Sequence, residues 1–201
     1  MSAIQIKRWT AEEYLAFERA SDEKHEFLDG QIYSMTGASR AHNLISVNTA
    51  TAFNNALRQH PCEVYASDMR VKAPSTKGGY LYPDVVVVCG EAAFEDQQVD
   101  TLLNPTVIVE VLSSSTESFD RGTKSQHYRA LDSLQEYLLI SQNTAHIEHY
   151  ARRADGQWLL SDAVGLEAVV ELRSVDCRLA LADVYVKVAF EDESIDSGRN
   201  E

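Results

Sequence analysis

The sequence predicts one α+β domain built around a buried central sheet. Two apolar runs, residues 85–88 and 107–112, have the composition of central strands covered on both faces. Helical periodicity lies on either side of them, and no internal repeat, low-complexity tract or linker divides the chain. The 201 residues, 44% of them hydrophobic, suit one domain with a sizeable core, and two domains are the alternative. We expect the domain to span residues 1–190 and residues 191–201 to form an acidic, disordered tail.

The N-terminal third predicts a helix, a hairpin and a second helix. Thr10 and Glu13 form a capping box, which predicts a helix to about residue 20. Asp29-Gly30 lies between the alternating runs 25–28 and 31–35, and this pair favours a tight hairpin turn. Helical spacing over residues 41–58 predicts a long helix before Pro61. Its expected buried face consists of Val47, Ala50, Phe53 and Leu57.

The remaining elements are mostly predicted strands. Residues 63–66 and 69–73 are expected to form a strand pair, and residues 90–104 an irregular loop. Asp120 is expected to cap a helix that runs to about residue 134. Later strands are predicted at 137–141, 146–151, 157–161, 169–172 and 178–181, the second and third of them joined as a hairpin.

Charge and cysteine content limit the classes of function. The formal net charge of −13 lowers the expectation of tight nonspecific nucleic-acid binding, which normally needs a basic surface. Part of that negative charge lies in the tail, so the net charge is still compatible with an enzyme that acts on DNA and holds a metal in its site. The three cysteines are odd in number and lack metal-ligand spacing. The sequence also shows no secretory signal and no membrane-spanning run. Together with the cysteine content, these features favour a reducing cytoplasm as the location of the protein.

Glu110 and Asp84 are the main candidates for metal ligands. Glu110 interrupts an aliphatic strand, where an unpaired carboxylate would cost several kcal/mol. Asp84 precedes the other central strand, although a Pro-Asp pair is also common turn chemistry. Neighbouring strands lie about 4.8 Å apart, so the two acids are able to share one Mg²⁺ or Mn²⁺ ion. The alternative for Glu110 is a half-exposed or arginine-paired side chain.

Lys124 is the third candidate. A lysine in the first turn of a helix is not favoured by the helix dipole, which indicates another role. The alternative is an exposed lysine that serves solubility.

Residues 9–150 resemble the Uma-type putative restriction endonuclease family, a branch of the PD-(D/E)XK nuclease superfamily. The resemblance rests on short motifs in a fixed order: residues 26–35 (EFLDGQIYSM), Ser39 with His42, 82–85 (YPDV), 109–116 (VEVLSSST), 120–124 (DRGTK) with Tyr128, and 136–140 (EYLLI). It implies a restriction-endonuclease-like core, a central mixed sheet flanked by helices. An N-terminal helix and a β-hairpin would precede this core.

The resemblance also implies roles for individual residues. Asp84 would be the aspartate of the Pro-Asp motif, Glu110 the second acid, and the Val111 carbonyl a further metal ligand. The superfamily usually places its lysine two residues after the second acid, but that position is Leu112. The resemblance therefore implies that Lys124, on the following helix, supplies the ammonium.

Four more residues are accessory candidates. Glu26 and His42 match family positions and are expected to face the metal cleft, although a surface strand acid and a helix-starting histidine are the alternatives. Asp68 precedes a strand and is either a site residue or part of a turn. Tyr128 follows Lys124 by one turn and is expected to pack beneath it or simply in the core.

These observations predict a Mg²⁺-dependent (or Mn²⁺-dependent) DNA endonuclease that leaves 5′-phosphate and 3′-hydroxyl ends. A homodimer is expected because cleavage of both strands needs two sites. Two alternatives remain: a non-catalytic module that binds nucleic acid or protein, and a metal-dependent hydrolase acting on RNA or a small phosphodiester.

Overall fold

A computed structural model describes residues 8–35, 37–113 and 115–190. The expected acidic tail, residues 191–201, lies outside the described residues. The described chain contains two mixed sheets, a separate two-stranded ribbon and five α-helices, which confirms the predicted α+β class. None of its helices combines the length and the apolar character needed to cross a membrane.

The helices are short except for one. They are α1 (Ala11–Glu18), α2 (Arg40–Ala56), α3 (Glu117–Phe119), α4 (Ser125–Arg129) and α5 (Leu181–Val184), and a π-helical turn, Asp120–Lys124, joins α3 to α4. α1 begins with the predicted capping box, since the Thr10 side chain accepts from the Glu13 amide and the Glu13 carboxylate accepts from the Thr10 amide.

The larger sheet has six strands: β3 (Cys62–Ala66), β6 (Val85–Cys89), β8 (Val107–Leu112), β9 (Glu136–Ser141), β10 (His146–Arg152) and β11 (Trp158–Val164). Their order across the sheet is β11-β10-β9-β8-β6-β3, and within it only β8 and β9 run parallel.

The smaller sheet has five strands: β1 (His25–Leu28), β2 (Gln31–Ser34), β4 (Arg70–Ala73), β5 (Gly79–Leu81) and β7 (Thr101–Leu102). Their order across the sheet is β2-β1-β5-β4-β7, while β12 (Val169–Leu172) and β13 (Cys177–Ala180) form the ribbon.

Strand β8 lies at the centre of the core. All six of its residues are buried, and alternate side chains point to opposite faces of the sheet. Val109 and Val111 pack in the cluster that includes Ile45 and Phe53 of α2. Ile108 and Leu112 pack on the other side, in the cluster that includes Tyr128. Burial of such side chains contributes roughly 1.5–3 kcal/mol each, so the strand that carries Glu110 is held firmly in place.

The first hairpin agrees with its prediction. Asp29 and Gly30 adopt φ angles of 52° and 86°, and β1 pairs with β2 in the register that this two-residue turn sets. Helix α2 also forms, but its predicted buried face is partly wrong. Val47 is 64% exposed, and the buried helical residues are Ile45, Thr49 and Phe53. Their spacing of four residues keeps them on one side of the helix.

Three other expectations are wrong in detail. The predicted strand pair is split between the sheets, because β3 pairs with β6 whereas β4 pairs with β5 and β7. The predicted irregular loop contains β7, whose two residues lie beside β4. The helix expected from Asp120 to residue 134 starts as a π-helical turn and ends at Arg129. Leu131 and Leu134 are nevertheless buried, so the apolar spacing reflected burial rather than a continuing helix.

Two of the three cysteines form a disulfide. Cys62 on β3 and Cys89 on β6 are directly opposite each other in the antiparallel ladder, which brings their sulfur atoms together. Cys177 is free and buried. The cysteine content favoured a reducing environment and did not indicate that Cys62 and Cys89 would pair; the disulfide runs against that expectation, since such bonds are rare in reducing compartments.

Candidate functional site

Asp84 and Glu110 lie side by side, as predicted: Asp84 directly precedes β6, and Glu110 lies on the adjacent strand β8. Val85 of β6 is opposite Val109 of β8, and one further step along this antiparallel register places Asp84 opposite Glu110. The Asp84 carboxylate accepts a hydrogen bond from the Val111 amide, with 2.7 Å between Oδ2 and N. This bond fixes the aspartate at the end of its strand and beside the second acid.

Glu110 is buried but has hydrogen-bond partners. The residue is 3% exposed, and its Oε1 accepts from the Tyr128 hydroxyl at 3.0 Å and from the Lys124 ammonium at 3.2 Å. Burial raises the pKa of the Glu110 carboxyl well above its ordinary value; Lys124 opposes this rise, and the nearby carboxylates of Asp120, Asp84 and Glu26 reinforce it. A positive charge is therefore needed to keep this group ionised.

Lys124 points inward and is surrounded by acids. Its ammonium lies 2.8 Å from Glu26 Oε1, 3.2 Å from Glu110 Oε1 and 3.4 Å from Asp120 Oδ1. Burial disfavours the charged amine, but these three carboxylates outweigh it and raise the Lys124 pKa well above the ordinary value. The lysine therefore stays an ammonium at neutral pH, and the expectation of an exposed solubilising lysine is wrong.

A π-helical turn supplies this lysine. Lys124 closes the turn that Asp120 opens, and such wide turns occur often at functional sites. The turn places Asp120 and Lys124 on the same side, with the aspartate 2% exposed. The Tyr137 hydroxyl donates to the Asp120 backbone carbonyl at 3.1 Å, which ties the turn to β9.

Glu26 belongs to the smaller sheet, and its side chain reaches the Lys124 ammonium. It lies on β1, is 5% exposed, and its Oε1 accepts from the Tyr82 amide at 3.0 Å. The site is thus a cleft lined by residues of both sheets, α2 and the π-helical turn. Its lining includes Glu26, His42, Asp84, Glu110, Val111, Asp120 and Lys124.

His42 lies in the first turn of α2. Ser39 caps this helix by accepting from the His42 amide at 3.0 Å, and the imidazole Nε2 lies 3.3 Å from Asp84 Oδ2. Burial disfavours imidazolium, but Asp84 outweighs it, and Asp120 and the Val111 backbone add to the effect, so the His42 pKa is raised. His42 is therefore a cleft residue and not only a helix-starting one.

Of the remaining accessory candidates, the structure brings Tyr128 to the cluster and leaves Asp68 outside it. Tyr128 is fully buried and holds Glu110 rather than the lysine. The Asp68 side chain is 90% exposed and pairs with Lys24 at 2.8 Å. Asp68 is not among the residues that line the cleft, because it lies in the turn after β3 and its carboxylate projects to solvent.

Asp120 was expected only to cap a helix and to belong to the 120–124 motif, with no role in the site. The cap prediction is wrong, because the helical segment already begins at Glu117 and Asp120 lies within it. The available signal was its position four residues before Lys124, which brings an acid and a base together on a helical segment. Asp120 Oδ1 is buried without a hydrogen-bond partner among the described residues. Three carboxylates, those of Glu26, Glu110 and Asp120, thus surround one ammonium, and Asp84 lies beside Glu110. This oxygen-rich, negatively charged donor set fits a divalent cation.

A second group of metal-ligating side chains lies elsewhere among the described residues. His146, Glu148 and Asp162 on the β10–β11 hairpin have ligand atoms within 4.8 Å of one another. His146 Nε2 lies 2.7 Å from Asp162 Oδ1, and Glu148 pairs with Arg121. The group contains none of the predicted site residues and has the contacts of an ion-pair network.

The sequence of this chain matches a known family. Residues 11–182 match the family described as "Uma2: Putative restriction endonuclease". An uncharacterized protein of Synechocystis sp. is 40% identical over 179 residues, which cover 89% of this chain and 92% of that protein. A second uncharacterized protein of the same organism is 40% identical over 171 residues, covering 85% and 96% of the two chains.

The fold also matches a solved structure. A crystal structure from Anabaena variabilis, described as a putative nuclease belonging to DUF820, superposes with a TM-score of 0.73. The match covers 90% of this chain and 99% of that chain, at 15% sequence identity, so it shows a shared nuclease-like fold. Because the family match spans most of the chain and both relatives are 40% identical to it, the chain belongs to the Uma2 putative restriction endonuclease family.

Proposed function

We propose that this protein is a divalent-cation-dependent DNA endonuclease that leaves 5′-phosphate and 3′-hydroxyl ends. The observation that carries the proposal is the 3.2 Å contact between Lys124 and Glu110, at the point where Asp84 directly precedes the adjacent strand. Two acids and an ammonium are the group that phosphodiester hydrolysis in this superfamily is expected to use. Here they come together although the lysine is absent from its usual sequence position, Leu112.

Asp84, Glu110 and the Val111 carbonyl would hold the cation, Mg²⁺ or Mn²⁺. When bound, it would neutralise phosphoryl charge and lower the pKa of a coordinated water. The acids that surround a single ammonium support this assignment, because their excess negative charge is costly when no cation balances it.

Lys124 would act as a fixed positive charge. Since its pKa is raised by three carboxylates, it would donate hydrogen bonds to the attacking water and to the phosphoryl oxygens rather than remove a proton. Glu26 would position the ammonium through their 2.8 Å contact. Tyr128 would orient Glu110 through its hydroxyl.

The proposed partners are DNA and a second copy of the chain. One cleft attacks one strand, so cleavage of a duplex on both strands calls for two protomers. The protein would work in the cytoplasm. The net charge of −13 predicts weak binding away from the cleft and little cleavage at high salt.

Digestion of plasmid and oligonucleotide DNA with Mg²⁺ or Mn²⁺ tests the proposal. We expect cleavage by the wild type and its loss in Asp84→Asn and Glu110→Gln. Asp68→Asn is the matched control, because this exposed acid lies outside the cleft and its substitution should leave cleavage unchanged. Cleavage of RNA alone would favour the RNA or small-phosphodiester hydrolase. Absence of both cation binding and cleavage would favour a non-catalytic binding module.

A further inference from the structure

The His42 side chain occupies a position that its helix does not explain. The N-terminal end of a helix carries partial positive charge, so it disfavours a cationic side chain by about 0.3–1 kcal/mol. Ser39 already caps α2, which leaves the imidazole without a capping role. The ring instead enters the cleft and lies 3.3 Å from Asp84 Oδ2.

The contacts of His42 coincide with the proposed cation site. The imidazole lies against the Asp84 carboxylate and interacts with the backbone of Val111, two of the three groups assigned to hold the cation. Neighbouring ligands of an octahedral ion with bonds of about 2.1 Å lie about 3.0 Å apart. The observed 3.3 Å between Nε2 and Oδ2 is close to this separation, and it is long for a charge-assisted hydrogen bond.

The rest of the ring is arranged as expected for a ligand. Ser46 Oγ, one turn further along α2, donates to the His42 backbone carbonyl at 2.9 Å and lies 3.5 Å from Nδ1. A polar group at the second ring nitrogen is the usual device that orients a metal-binding histidine. Nε2 is thereby the nitrogen directed at the acid.

We propose that His42 is a nitrogen ligand of the bound cation, so that the site prefers a first-row transition ion such as Mn²⁺ to Mg²⁺. This inference rests on the proposed function, since it concerns the same cation. Imidazole suits transition ions, whereas Mg²⁺ favours an all-oxygen shell with several waters. One imidazole nitrogen added to Asp84, Glu110 and the Val111 carbonyl makes a mixed nitrogen and oxygen site.

Calorimetry and pulsed electron paramagnetic resonance test this inference without substrate. We expect the wild type to bind Mn²⁺ about tenfold or more tightly than Mg²⁺ and the bound Mn²⁺ to show coupling to a ¹⁴N nucleus. His42→Gln keeps a polar side chain of similar length, so the fold and the oxygen ligands should persist. This variant should lose the nitrogen coupling and most of the preference for Mn²⁺, and still bind Mg²⁺.

Two control variants identify the source of any nitrogen signal. His146→Gln removes the imidazole beside Glu148 and Asp162, and His127→Gln removes a half-buried ring outside the cleft; both should keep the coupling. Loss of coupling in His146→Gln, or equal affinities for the two ions without coupling, would overturn the inference and leave the endonuclease proposal intact. Failure of the wild type to bind either ion would overturn both.

Discussion

Replacement of Lys124 by methionine tests whether this lysine is the counter-ion of the acidic cluster. Methionine has a similar length but no charge, so Glu26, Glu110 and Asp120 would lose a partner that lies within 3.4 Å of each. All three carboxylates are buried, and removal of one member of a buried ion pair typically destabilises a protein by about 3–5 kcal/mol. A chain of this size loses about 2–4 °C of melting temperature per kcal/mol, so we expect a fall of roughly 6–20 °C.

Urea denaturation and thermal melting at pH 7.5 without divalent cation measure this loss. Lys77→Met is the matched control, because Lys77 is exposed and the same substitution there should change stability by less than about 0.5 kcal/mol. Added Mn²⁺ or Mg²⁺ should restore part of the stability of Lys124→Met by supplying positive charge. A loss below about 1 kcal/mol would refute the role of Lys124 as the counter-ion.

Three further predictions concern the residues around this lysine and the sheet beneath it. The raised pKa of Glu110 means that the folded cation-free protein gives up the Glu110 proton at a higher pH than the unfolded chain does. Stability should therefore fall as pH rises from about 4.5 through that interval, and a pH series of melting temperatures should show a smaller fall in Glu110→Gln. Tyr128→Phe removes the hydroxyl that donates to Glu110 at 3.0 Å, so urea denaturation should show a loss of roughly 1.5–3 kcal/mol, whereas an unchanged midpoint would mean that water replaces the bond. The Cys62–Cys89 disulfide closes a sequence separation of 27 residues, so dithiothreitol should lower stability by about 3–4 kcal/mol in the wild type and leave the Cys62→Ser/Cys89→Ser variant unaffected.

Local chemistry explains which elements were predictable. The Asp29-Gly30 turn and the Thr10 capping box depend on residues within four positions of each other, and both form as predicted. Strand β8 was recognisable because only full burial on both faces accommodates its run of aliphatic residues. The same run made Glu110 conspicuous, since a carboxylate buried there needs partners.

The wrong structural predictions concern segments whose local sequence allowed two structures. Contacts with residues distant in the chain determined which of the two formed. Helical spacing allowed Val47 or Ile45 to face the core, and packing of α2 on the larger sheet buries Ile45. The strands at 62–66 and 70–73 are close in sequence but join different sheets, because their hydrogen-bonding partners come from later segments. Apolar spacing beyond Arg129 suggested a continuing helix, whereas Leu131 and Leu134 are buried without one.

The sequence by itself determined the mixed α+β class, the family resemblance, and the two acids at adjacent strands. Burial of apolar strands, turn chemistry and capping are short-range effects, so they can be read from neighbouring residues. Only the tertiary structure decided that Lys124 meets Glu110, that Glu26 arrives from the second sheet, and that Asp120 and His42 join them. Those contacts depend on how the two sheets, α2 and the π-helical turn pack together. This packing buries charged side chains, and their charges must be balanced by residues up to 98 positions apart in the chain, as in the pair Glu26 and Lys124.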